Sequence, residues 1–137
     1  MSVIFVARSA NISKWAADVG LGKHVVKIGA AADKNAAKAA AEAGWAGESD
    51  WRLAAVEEVG ELDEPAALAG VARKEKLVDP AYYPRLKGEG GIVRINIAHV
   101  QNALLVSQAM ESADQPLTAP KVKPKDVADY LIRLARG

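Results

Sequence analysis

The sequence of 137 residues contains no cysteine. The chain therefore has no disulfide bond, no zinc site built on thiolates and no cysteine nucleophile. It also lacks an apolar run of the roughly 20 residues that a membrane-spanning helix requires. Its first residues lack the basic and apolar regions of a secretory signal peptide. We therefore expect a cytoplasmic protein with no membrane partner.

Large aromatic side chains are scarce, because the chain has only three Trp, three Tyr and one Phe. Each of them is expected to mark a core or site position. Half of the residues are hydrophobic and 26% are charged, which is typical of a packed globular protein. We expect one α+β domain at 1–112, a linker rich in proline and lysine at 113–123, and a C-terminal helix at 124–137.

The formal net charge of +1 conceals an uneven distribution of charge along the chain. Residues 1–41 carry six basic and two acidic groups, and residues 42–64 carry one basic and eight acidic groups. Residues 65–137 carry eleven basic and seven acidic groups. This pattern favours a dipolar surface with a basic face, but the total argues against strong nonspecific attraction to nucleic acid.

Hydrophobic patterning predicts an α+β fold with a mixed or antiparallel sheet of about four strands, packed with helices. The first two strands lack alternation and are expected to be buried on both faces, whereas the fourth alternates and is expected to be half-buried. The strands are predicted at 3–6, 23–30, 51–59 and 92–97. Helices are predicted at 11–19, 34–43, 65–77, 98–112 and from 124 onward.

Two short motifs lie in the first two strands, namely Val3-Ile4-Phe5 and Lys27-Ile28-Gly29. With the order of elements over residues 2–112, they resemble the GIY-YIG nuclease superfamily, especially its phage-type subgroup with V-K-I-G in the second strand. The resemblance implies three functional groups. A motif Tyr helps to activate water, an Arg on the following helix contacts the scissile phosphate, and a Glu on a later helix holds one divalent metal ion.

This sequence departs from that pattern at each functional position. Phe5 stands at the first Tyr position and Lys27 at the second, and Lys38 lies near the Arg position. Ala69 or Gly70 stands where the resemblance places the Glu. The resemblance therefore implies a nuclease-like scaffold with no catalytic residues and no cofactor. A divalent metal is expected only if nuclease activity is retained.

Six residues are candidates for nucleic-acid binding. Lys27 and Lys38 are potential phosphate contacts, and a loop with adjacent tyrosines and two cations could stack a base and hold a phosphate. That loop supplies Tyr82, Tyr83, Arg85 and Lys87. A surface lysine and tyrosines that anchor the loop on the core are the ordinary alternatives. His24 and His99 have no second ligand at metal spacing and are expected to be structural or exposed.

Three functions remain open from the sequence. The first is a catalytically degenerate GIY-YIG-like module that binds DNA or RNA. The second is a protein-interaction or self-association domain that uses the helix at 124–137 and the acidic segment 42–64. The third is a working metal-dependent phosphodiesterase that uses Tyr82 or Tyr83 together with Glu75.

Overall fold

A five-stranded antiparallel sheet forms the centre of the molecule in the computed structural model, which describes residues 2–22, 24–60, 63–111 and 122–136. The spatial order of its strands is β3-β1-β2-β5-β4. Their bounds are β1 (Ser2–Arg8), β2 (Val25–Ala31), β3 (Arg52–Gly60), β4 (Lys76–Leu77) and β5 (Ile92–Arg94). The predicted α+β fold is confirmed, with one strand more than the four expected.

Five α-helices flank the sheet in the described residues: α1 (Ala10–Asp18), α2 (Lys34–Ala43), α3 (Glu64–Ala72), α4 (Ile97–Glu111) and α5 (Pro124–Arg136). The Asp33 side chain caps α2 at its start and Gly44 ends it, which confirms the predicted bounds 34–43. The Ser9 side chain caps α1, which begins at Ala10, one residue before the predicted start. No described helix combines the length and the apolar character that crossing a bilayer requires.

The sheet is covered on both faces, which explains the unbroken apolar runs of β1 and β2. One face packs against α3 and α5, and we call it the α5 side. The other packs against α1, α2 and the loop after α2, and we call it the α2 side. Side chains of β1 alternate between them, with Ile4 and Val6 on the α5 side and Val3, Phe5 and Ala7 on the α2 side. The predicted burial of both central strands is confirmed.

Strand β3 contains a bulge. Leu53 and Ala55 are two residues apart and would share a face in a regular strand, but the pairing register with β1 shifts between them. Leu53 therefore packs on the α2 side and Ala55 on the α5 side. The cause is an extra residue, Ala54, which reverses the side-chain alternation on either side of it.

Helix α3 ends five residues earlier than predicted, at Ala72. The following residues turn back, and Lys76 and Leu77 form the edge strand β4 beside β5. Glu75 accounts for the difference, because its buried carboxylate accepts the backbone N–H of Asn96. This bond ties the end of α3 to the junction of β5 and α4. Lys76 therefore lies on the sheet edge instead of in a helix.

The segment from β5 to α4 also differs from its prediction. Strand β5 is three residues long, and Ile92 and Val93 are both fully buried instead of alternating with solvent. The strand is shorter because Glu75 binds the N–H of Asn96 and α4 begins at Ile97. In α4, Val100 is buried and Ala103 and Leu104 pack against the same core, whereas Val106 is 59% exposed.

Helix α5 is part of the core. Its side chains at Val127, Leu131 and Ile132 pack on the α5 side of the sheet. A Cβ atom at Gly70 of α3 would lie 2.4 Å from the carbonyl oxygen of Leu134, so the two helices touch through their backbones. The apolar face of α5 is thus covered by its own domain. Most of the predicted linker at 113–123, with the boundary after residue 112, lies outside the described residues.

Candidate functional site

The six candidate residues do not converge on one site. Lys27 lines a cleft next to the motif strands, and Lys38 lies exposed on α2, outside that cleft. Tyr82 and Tyr83 line a second cleft at the sheet edge. Arg85 donates to the carbonyl oxygen of Ala46 at 2.8 Å and forms an ion pair with Glu48, which fixes two loops together. Lys87 is exposed beside Gly47.

The first cleft, which we call the motif cleft, has a volume of about 250 Å³. Phe5 and Lys27 both line it, because Phe5 pairs with Gly29 across the strands and Lys27 precedes Gly29 by two residues. Glu64 and Glu89 also line it. Phe5 and Lys27 therefore share one concavity.

Lys27 is buried in the motif cleft and its charge is neutralised there. Its side chain is 6% exposed, and its Nζ lies 2.9 Å from Oε1 of Glu89. The Nζ also donates to the carbonyl oxygen of Gly90 and lies 5.6 Å from the centre of the Trp45 ring. Since Glu64 adds a second carboxylate to the lining, a phosphate entering this cleft meets more negative than positive charge.

The other motif residues have packing roles. The Phe5 ring stacks on Trp45 with ring centres 5.4 Å apart and an angle of 12°. A Cβ atom at position 29 would lie 2.8 Å from Cζ of Phe5, so the glycine of the motif makes room for this ring. Phe5 offers no hydroxyl group to the cleft. The motif cleft therefore holds an aromatic stack and a neutralised lysine where a hydrolytic centre is expected from the resemblance.

The second cleft, which we call the edge cleft, lies along β4 and β5. It consists of two hollows, of about 320 and 420 Å³, that share Leu21, Lys76 and Arg94 in their linings. The smaller hollow contains Tyr82 and Tyr83 and the larger one contains polar and cationic groups. The polar residues that line only the larger hollow are His24, Lys74, Glu75, Asn96 and His99.

Lys74, Lys76 and Arg94 give the edge cleft a concentration of positive charge. All three are exposed, and no ion pair within the described parts of the chain involves them. Lys76 stands directly opposite Arg94 in the β4–β5 pairing. Like charges that face each other across two strands destabilise a sheet. Asp79 lines the smaller hollow together with the two tyrosines, and its side chain accepts the N–H of Ala81.

The two tyrosines of the edge cleft differ in exposure. Tyr83 is half-buried and meets the edge of Trp15, with ring centres 5.7 Å apart, so it anchors the loop on the core. Tyr82 is 75% exposed and its ring centre lies 4.9 Å from that of Tyr83. The buried ring thus supports an aromatic surface that faces solvent.

A buried carboxylate connects three elements beneath the edge cleft. The Glu75 side chain is fully buried, and its Oε2 lies 2.7 Å from Nδ1 of His99 and accepts the hydroxyl of Tyr130 at 3.3 Å. Its Oε1 accepts the N–H of Asn96 at 2.7 Å. Burial, and then the charge of Glu75, raise the pKa of Tyr130 to about 12, so that this phenol remains a donor.

His99 is held by this carboxylate but is not enclosed, since its side chain is 42% exposed. An ionised carboxylate only accepts hydrogen bonds, so Nδ1 of His99 donates to Glu75, and in the neutral form of the imidazole the basic nitrogen is then Nε2. The sequence missed this pair. The two residues are 24 positions apart, and only the unpredicted strand β4 and the early end of α3 bring them together.

The sequence predicts that a metal-dependent centre would combine Glu75 with Tyr82 or Tyr83. In the structure, the carboxylate of Glu75 instead bonds to Asn96, His99 and Tyr130. Within the residues that the structure describes, no cluster of three or more His, Asp or Glu side chains has the arrangement of a metal site. Comparison of the chain with protein-family models, curated protein sequences and solved structures yielded no match.

Proposed function

We propose that the protein is a nucleic-acid-binding module that holds a single strand along the edge cleft. The observation that carries this proposal is the cross-strand pair of Lys76 and Arg94. Two like charges that face each other across β4 and β5 cost stability, and a phosphate backbone is a ligand that removes this cost. Lys74 extends the positive charge along the same cleft.

The aromatic end of the cleft supports a single strand as the ligand. The exposed ring of Tyr82 offers a stacking surface next to the cations. Unpaired bases stack on such rings in a sequence-tolerant way, whereas the bases of a duplex are already stacked on each other. Of the six residues predicted from the sequence, the proposal retains Tyr82 and Tyr83 and adds the three cations of the edge cleft.

We also propose that the scaffold is a degenerate relative of the GIY-YIG nucleases. The shared position of Phe5 and Lys27 in the motif cleft supports this kinship. The proposed ligand does not enter that cleft, because Lys27 is buried and paired with Glu89. The protein-interaction alternative loses its main support, since the apolar face of α5 lies against its own sheet.

Fluorescence anisotropy with labelled single strands of about 12 nucleotides tests the proposal. Binding should weaken between about 50 and about 200 mM salt, because each phosphate contact releases counterions. The double variant Lys76→Ala plus Arg94→Ala should reduce the slope of log affinity against log salt by about 1.4, at roughly 0.7 per lost contact.

The matched control removes two positive charges from α2, by Lys34→Ala plus Lys38→Ala. Both lysines are exposed and lie outside the edge cleft. This control should keep most of the salt slope. The proposed function falls if the unaltered protein binds no strand at low salt. If the α2 variant loses as much slope as the edge variant, the edge cleft is not the binding surface.

A further inference from the structure

The edge cleft contains a basic nitrogen in addition to its cations. His99 lines the larger hollow together with Lys76 and Arg94, and its imidazole is held by the buried Glu75. Nδ1 is fixed by the carboxylate, and Nε2 has no hydrogen bond to a residue that the structure describes, which is the arrangement of a general base with its orienting group. Neither of the two motif strands contributes to it.

We propose that His99 is the general base of an RNA-cleaving site in the edge cleft. The inference rests on the proposed function, because it requires that the strand bound there passes the imidazole. It goes further by naming the substrate as RNA and the reaction as transfer of a phosphodiester to the neighbouring 2′-hydroxyl. His99 would be the catalytic residue, and Glu75 a positioning residue that acts through it.

The reaction needs no co-reactant beyond the strand and solvent water. Nε2 of His99 takes the proton of the 2′-hydroxyl, and the 2′-oxygen forms a bond to the adjacent phosphorus. The bond from phosphorus to the 5′-oxygen breaks, and that oxygen takes a proton from water. The hydroxide ion left behind takes the proton from Nε2, which restores the neutral imidazole. The products are a 2′,3′-cyclic phosphate and a 5′-hydroxyl end. Lys76 and Arg94 stabilise the negative charge that builds on the non-bridging oxygens.

RNA is the substrate because its nucleophile is built into the strand. The 2′-hydroxyl lies next to the phosphorus, so that removal of one proton starts the reaction at a high effective concentration. DNA lacks this group and would require an activated water molecule instead. The 2′-hydroxyl also distinguishes RNA from DNA for any protein site.

The alternative is that Glu75 has only a structural role, because it caps α4 at Asn96 and contacts Tyr130 of α5. Those two bonds account for the burial of the carboxylate without any imidazole. They leave unexplained why a half-exposed histidine is fixed on the side of the cleft that carries the cations. A variant at His99 therefore separates the two roles better than a variant at Glu75.

The test incubates the protein with a single-stranded RNA of about 12 nucleotides in EDTA and identifies the products by mass spectrometry. Expected are 2′,3′-cyclic phosphate ends, with no cleavage of the same strand bearing 2′-O-methyl groups. The His99→Ala variant, purified in parallel, should cleave the RNA at least about 100-fold more slowly, because a general base typically contributes a factor of that size to the rate. Its affinity for the 2′-O-methyl strand should stay within about twofold.

A second variant, Glu75→Gln, tests the positioning role. Loss of the carboxylate should lower kcat and leave KM for the RNA nearly unchanged, because the amide of Gln is a weaker orienting acceptor for Nδ1 while the cations that bind the strand are untouched. A purely structural role would lower the amount of folded protein and leave kcat per folded molecule unchanged.

Two results overturn the inference. One is binding of RNA without cleavage, and the other is equal cleavage by the protein and its His99→Ala variant, which would identify a contaminating nuclease. Both leave the proposed function intact. Absence of binding to any single strand removes the proposed function itself, together with the site described here.

Discussion

The motif cleft and the edge cleft both contain lysine, but they hold it in opposite states. Lys27 lies in a central strand with its side chain 6% exposed, and its charge is matched by Glu89. Lys76 lies in an edge strand, is exposed, and faces Arg94 across the pairing. The first lysine has its charge paired inside the fold, and the second forms no ion pair with any residue in the described ranges.

The difference follows from position in the sheet. A cation in a central strand leaves water when the sheet is covered on both faces, so it needs a partner within the protein. A cation on an edge strand keeps its hydration and its charge stays available, and charged edges also prevent unwanted strand pairing. A lysine in a sequence motif is therefore a weaker indication of a phosphate site than a lysine on the sheet edge.

We expect the largest loss of stability when the ion pair of the motif cleft is broken. Glu89→Ala leaves the buried ammonium group of Lys27 with Gly90 and Trp45 alone, and we expect a loss of about 3 kcal/mol in the free energy of unfolding. Chemical denaturation measures it. Binding of single strands to the folded variant should be unchanged, because the edge cleft is untouched.

The double variant Lys27→Met plus Glu89→Ala is the control for that experiment. Met keeps the apolar stem of the lysine over Trp45 and removes the charge that needs a partner. The double variant should be more stable than Glu89→Ala alone. If the two are equally unstable, the loss comes from packing at position 89 and not from the unpaired charge.

The next effect concerns the motif glycine. Gly29→Ala places a methyl group 2.8 Å from Cζ of Phe5, whose ring is held against Trp45. We expect a loss of about 2 kcal/mol from overpacking, measured by denaturation. The double variant Gly29→Ala plus Phe5→Leu should recover part of this loss. If Gly29→Ala is as stable as the unaltered protein, the absence of a side chain at position 29 is not needed to accommodate the Phe5 ring.

The central strands and the capped helix α2 were predictable because their signals are local. Apolar runs without alternation indicated burial on both faces, and Asp33 and Gly44 marked both ends of α2. Strand β4 was not predictable in this way. Residues 73–77 continue a helical pattern, and the interactions that hold the turn are long-range, namely the bond between Glu75 and Asn96 and the pairing of β4 with β5.

The candidate site was predictable in part. The loop with Tyr82 and Tyr83 stood out by composition, and the structure places both tyrosines in the edge cleft. The other members of that cleft depended on the missed turn, which brings Lys76 opposite Arg94 and Glu75 next to His99. Pairs formed by strand pairing across 18 or more positions have no periodic signal in the sequence.

A smaller effect probes the network below the edge cleft. Tyr130→Phe removes the hydroxyl that Glu75 accepts at 3.3 Å, and we expect a loss of about 1 kcal/mol at neutral pH. The pKa of Tyr130 is raised from 10.0 to about 12 in the folded protein, so the unfolded chain loses this proton first as pH rises. The contribution of the phenol is therefore complete below pH 10.0 and disappears by about pH 12.

Urea denaturation at several alkaline pH values measures this effect. The unaltered protein should lose stability more steeply than Tyr130→Phe over the window from pH 10.0 to about 12. Parallel curves for the two proteins would show that the phenol has the same pKa in both states and that Glu75 does not act on it.

The smallest effect has the opposite sign and is the most direct test of the edge cleft. Lys76→Ala removes one of two like charges that face each other across β4 and β5. We expect the variant to be more stable by a few tenths of a kcal/mol, about 0.3, in low salt. Salt screens this repulsion, so the gain should shrink as ionic strength rises. Lys34→Ala, which removes an exposed charge from α2, should show no such gain. If Lys76→Ala is more stable and binds single strands more weakly, the charge of Lys76 contributes to binding at a cost in stability. If the variant is less stable, Lys76 has a stabilising partner within the fold.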